Sequence, residues 1–162
     1  MEQFPIQQTF LTPSFLEKEE MRLLCKDAIT SDLSWSAYIE TGIHLLNAGE
    51  GSAAFMELGG ALQIAHKQVC TTPAPTWRWA MRLTESANLL VITLNLLECE
   101  RLIDPFLHNM HSQIAVLPPL VGCPQGKNKT WLCNWCKSMN CPRRQAQLAA
   151  MYAHQARRQG QK

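Results

Sequence analysis

Cys123, Cys133, Cys136 and Cys141 fall within nineteen residues, and no other feature constrains the fold of this chain so tightly. The segment around them is rich in Lys and Asn and poor in apolar side chains. It cannot bury enough surface to order itself. Four thiolates, however, form the complete tetrahedral shell of a structural Zn2+. In small modules of this kind, metal-binding free energy acts as folding free energy. Cys133 and Cys136 make a C-x2-C half-site, and Cys141 follows after four residues. Cys123 must return across nine residues that include Gly126, so its place is the one that His108, His111 or His154 could take instead. Four cysteine ligands leave no open position for water, so the expected zinc is structural. The same ligand set serves an iron–sulfur cluster, but nothing else in the sequence points to one. Trp131, Leu132 and Trp135 would form the miniature core of such a module, with base stacking as the alternative use of their rings.

Charge divides the chain at the same place. The thirteen acids all precede Cys123, where only seven bases accompany them. The remaining eight bases, Lys127, Lys129, Lys137, Arg143, Arg144, Arg157, Arg158 and Lys162, follow Cys123 with no acid among them. Such asymmetry points to an anionic partner for the basic end, nucleic acid above all. The alternative is a solvated tail that aids solubility. Arg143 and Arg144 follow Cys141-Pro142 and would stand in the first turn of a final helix, where cations oppose the helix dipole. That unfavourable placement suggests a further use for them.

The rest of the chain reads as helices. Residues 1–13 carry Pro5 and Pro13 without periodicity and suggest an extended arm. Ser14 and Glu17 have capping-box spacing, and Met21, Leu24, Cys25 and Ala28 share a helical face. A break is expected at Thr30, Ser31 and Asp32. Trp35, Ile39, Ile43 and Leu46 mark a second helix that stops near Gly49 and Gly51. Ser52 then caps a third, with the stripe Phe55, Leu58, Leu62, Ala65 and Val69. Gly59 and Gly60 weaken that helix by about 1 kcal/mol each unless something must approach closely there. Residues 71–75 form a loop with two prolines. Residues 76–103 fit one long helix buried in its second half; residues 89–97 alone also fit a strand, but no partner strand is evident. Pro105 should end it, because the residue before proline avoids the α region. A last body helix runs from about Pro105 to Val116, and Pro118 and Pro119 close the body. The fold class is therefore all-α. The organisation is an arm (1–13), a helical body of about five helices (14–119), and a four-cysteine zinc module with a basic C-terminal helix (120–162).

Several functions find no support. No run of about 18 apolar residues is present, so no membrane partner is expected. The N-terminal Met-Glu-Gln-Phe-Pro lacks the basic region of a secretory signal. A reducing cytoplasm, or a nucleus in a eukaryotic host, is the expected setting, and there clustered cysteines bind metal more often than they form disulfides. The turn between the second and third helices imitates a helix-turn-helix. The third helix, though, has no base before Lys67 and so lacks groups to read DNA. No nucleophile elbow, phosphate loop or paired-carboxylate motif occurs. No catalytic residue and no small-molecule substrate are expected.

These readings converge on a zinc-stabilised nucleic-acid-binding regulator, of transcription in the first instance, preferring DNA to RNA. Lys127, Lys129, Lys137, Arg143, Arg144, Arg157 and Arg158 would contact phosphates, and the body would self-associate or hold a protein partner. The alternative is an interaction adaptor whose zinc only orders the tail.

Overall fold

A computed structural model describes residues 15–123 together with Ala150. Helix α1 spans Lys18–Leu24, α2 Ala28–Asn47, α3 Gly51–Cys70, α4 Trp77–Leu96 and α5 Ile103–Ala115; a 3-10 turn at Glu100–Leu102 leads into α5. Among the described residues there is no strand, only an isolated bridge between Thr76 and Val121. The expected all-α body of about five helices is thus what these residues form.

Local chemistry explains most boundaries and corrects several expectations. The first break lies at Cys25–Lys26–Asp27, not at residues 30–32. Asp27 caps α2, its carboxylate accepting from the Thr30 N–H at 2.7 Å. That bond holds the carboxyl below its ordinary pKa. Thr30, Ser31 and Asp32 therefore lie inside α2, and Ala28 opens α2 instead of completing the face of α1. Glu17 is the N-cap of α1 and makes no side-chain capping bond, so the expected capping box does not form there. The reason is upstream. The Phe15 and Leu16 N–H groups both donate to Gln63 Oε1, at 2.9 and 2.8 Å, which keeps these residues out of the helix. Ser14 lies outside the described residues.

The α2–α3 turn follows its sequence signal. Gly49 adopts φ +78°. Its N–H donates to Leu46 C=O and that of Glu50 to Leu45 C=O, which is the Schellman pattern. Ser52 is not the cap of α3; the helix already begins at Gly51 after Glu50. The long helix expected over 76–103 stops at Leu96. Glu98 takes φ +55°, and the Cys99 N–H donates to Leu94 C=O at 2.8 Å, a second Schellman closure without glycine. Nor does Pro105 end a helix. It sits in the first turn of α5, where its missing N–H has no intrahelical partner to lose.

The core lies between α2, α3 and α4 and is completed by α5. Side-chain pairs Ser31–Gln68, Gly60–Tyr38 and Gly42–Leu58 converge on the turn, so α2 and α3 are antiparallel. All five stripe residues of α3 are buried. As expected, the second half of α4 is enclosed: Leu89 through Leu94 are all buried, including Thr93, whose hydroxyl donates to the Leu89 C=O. The two helical glycines have the expected cause. A Cβ on Gly59 would meet the Phe15 ring at 2.2 Å, and one on Gly60 the Tyr38 ring at 3.0 Å. The N-terminal half of α3, the would-be recognition helix, carries buried Ala54, Phe55 and Leu58 and is committed to packing.

Candidate metal and nucleic-acid module

After α5 the chain is drawn back onto the body before it reaches the first cysteine. Leu117 is buried, and Leu120 packs against the core. Val121 then pairs with the segment that precedes α4. Its N–H donates to Pro75 C=O and its C=O accepts from the Trp77 N–H, both at 2.8 Å. Gly122 follows with φ +73°, a conformation glycine adopts at little cost and which redirects the chain after the bridge. Cys123 comes next and is half-buried. The first predicted ligand is thereby held two residues from a fixed point, beside the start of α4.

The other predicted ligands, Cys133, Cys136 and Cys141, lie outside the described residues, as do Lys127, Lys129, Lys137, Arg143, Arg144, Arg157 and Arg158. Of the substitute ligands, His108 and His111 stand on α5, exposed and half-buried respectively, while His154 is outside the described residues. No group of three or more His, Cys, Asp or Glu side chains able to hold a metal occurs among the described residues. The body thus offers no competing metal centre there. Its other cysteines, Cys25, Cys70 and Cys99, are half-buried, and burial pushes the Cys70 thiol up to about 11. A half-buried thiol so poorly ionised is a weak nucleophile.

Two arrangements escaped sequence reasoning. The first surrounds the N-terminal turn of α4. The Arg82 guanidinium is stacked between Trp35 and Trp79, 4.7 and 4.5 Å from the ring centroids. It is ion-paired with Asp32, which also meets Arg78 at 3.2 Å. Trp35 Nε1–H donates to Ser86 Oγ, and the Ser86 hydroxyl donates to Arg82 C=O. This network joins α2 to α4 and leaves the two arginines unlike: the Arg82 side chain is 13% exposed and that of Arg78 66%. The signal was present as Asp32 and Trp35, and as Trp79 and Arg82, each pair three residues apart on one helical face. Only the packing of α2 on α4 brings the pairs together.

The second is the pair of His66 on α3 and Gln113 on α5, joined through His66 Nε2 and Gln113 Oε1. Burial lowers the His66 pKa, and the bond to Gln113 partly opposes this. Gln113 in turn donates to Asn109 Oδ1. The neutral imidazole is a packing element of the α3–α5 contact.

No helix among the described residues is long and apolar enough to cross a membrane. Comparison with known protein families, with curated proteins and with solved structures gave no match.

Proposed function

We propose that this chain is a zinc-stabilised nucleic-acid-binding regulatory protein, with DNA favoured over RNA and transcription as the process it regulates. One observation carries the reading. Every charged side chain after Asp104 is basic, and the four-cysteine cluster from Cys123 to Cys141 lies among those bases. In this reading Cys123, Cys133, Cys136 and Cys141 hold one zinc ion, which orders a segment too polar to fold alone. Lys127, Lys129, Lys137, Arg143, Arg144, Arg157 and Arg158 neutralise phosphates. The closed shell gives the ion no catalytic position, so its role in this reading is structural, and the reading assigns the chain no enzymatic activity. A cytoplasmic setting, nuclear in a eukaryote, keeps the thiols reduced.

The anchoring of Val121 against Pro75 and Trp77 supports this reading, because it would set a metal module at a defined place on the body. Self-association or partner capture is assigned to the body. There Ile29 and Leu33, one turn apart on α2, are 74% and 67% exposed. Binding of duplex and single-stranded probes across a salt series tests the proposal. If all seven named bases contact duplex phosphates, log K should fall against log salt with a slope of about −6. Absent binding, or binding indifferent to salt, rules it out. Capture of a protein partner by the body alone, without nucleic-acid affinity, would favour the adaptor reading.

A further inference from the structure

We infer that Arg78, on the first turn of α4, extends the phosphate-contacting surface from the basic tail onto the helical body. The inference rests on the nucleic-acid reading and adds to it a residue that the charge division of the sequence does not contain.

Three observations lead there. The parallel bridge of Thr76 with Val121 places the start of the basic segment against the N-terminal turn of α4, two residues from Arg78. Lys127, the first base after the bridge, follows Val121 by six residues in the sequence.

The second observation is the unequal use of Asp32. Arg82 is stacked between two indoles and takes the enclosed share of that carboxylate. Arg78 is left with a single 3.2 Å contact and a side chain 66% exposed. Solvent screens such a pair, and its remaining N–H groups are open to an oxyanion. Within the triad of Asp32, Arg78 and Arg82, Arg78 is the outward member.

Third, two of the backbone N–H groups at this turn are already engaged. The Trp77 N–H is taken by Val121 C=O and the Trp79 N–H by Thr76 Oγ1. Recognition would therefore pass through the guanidinium, which makes it removable by substitution.

The test is equilibrium binding of a fluorescent single-stranded DNA oligonucleotide over a salt series. Arg78→Ala should weaken binding about fivefold near 0.1 M salt and make the slope shallower by about 0.7, with Arg78→Lys restoring both. Arg101→Ala is the control. Arg101 is exposed and lies beyond the far end of α4, a helix of 20 residues and so about 30 Å long. It should change neither affinity nor slope. Thermal midpoints of the Arg78 and Arg101 variants should stay within a few degrees of wild type, since neither arginine is enclosed. Arg78→Ala binding as wild type, while Arg143→Ala with Arg144→Ala binds weakly, overturns the inference and leaves the tail reading intact. A wild-type chain that binds no strand overturns both.

Discussion

Gly59 and Gly60 are neighbours on one helix, yet alanine should affect them in opposite directions. In a helix interior alanine is favoured over glycine by about 1 kcal/mol. At Gly60 the new methyl would stand 3.0 Å from Tyr38 Cδ1 and Cε1. Tyr38 is half-buried, so its ring can yield by a few tenths of an ångström, and most of the gain survives. At Gly59 the methyl would lie 2.2–2.4 Å from three carbons of the Phe15 ring, which no small shift relieves. Phe15 must leave. It would give up its edge-to-face contact with Phe55 at 5.3 Å and strain the Gln63 clamp on residues 15 and 16. Half the burial of a Phe side chain is about 1–1.5 kcal/mol, and the ring pair adds about 0.5–1.5. After the helix-propensity gain, Gly59→Ala should cost about 1–2 kcal/mol, whereas Gly60→Ala should be neutral or stabilising by up to about 1 kcal/mol. Urea unfolding followed by far-UV circular dichroism reads both. A double-mutant cycle isolates the cause: with Phe15→Ala already in place, Gly59→Ala should stabilise. Equal effects at the two glycines, or a Gly59 penalty that survives removal of Phe15, would refute the packing argument.

Three further outcomes follow from single sites. Glu98 holds a left-handed conformation, so Glu98→Gly should raise stability by about 1 kcal/mol in denaturant unfolding, opposite to the usual effect of glycine. His66 is depressed below its ordinary 6.5 by burial, so its contribution to stability is full above that value and is lost as pH falls through the folded-state pKa. Between about pH 7.5 and pH 5.5 wild type should lose more thermal stability than His66→Gln. Arg82→Ala should cost about 1–3 kcal/mol, because it removes two stacked contacts and leaves Asp32 with only the exposed Arg78, and it should red-shift tryptophan emission. Arg78→Ala should cost less than about 1 kcal/mol.

The helical stripes were readable because burial on one face imposes its period on the sequence. Phe55, Leu58, Leu62, Ala65 and Val69 show this directly. Gly49 announced its turn because the left-handed closure needs a residue without Cβ. Boundaries failed where two local signals competed or none existed. Asp27 and Asp32 are both good caps, and the choice between them is set by tertiary bonds such as that of Gln68 to Ser31. Nothing local marks the break at residues 97–99, where a glutamate takes the position glycine usually fills. The Gln63 clamp joins residues 47 and 48 apart in sequence and leaves no periodic trace. For the site the balance reverses. Metal-ligand spacing is a local signal, so the cysteine cluster was plain in the sequence. The bridge that holds Val121, and with it Cys123, depends on a loop more than forty residues earlier and was not legible.

The central claim is that zinc orders a basic surface that grips phosphates. Its most direct test is the salt dependence of DNA affinity for the full chain, measured before and after chelation of metal. The account predicts tight, steeply salt-dependent binding that weakens sharply on chelation and returns with added Zn2+. Affinity that is absent, flat against salt, or untouched by chelation contradicts it.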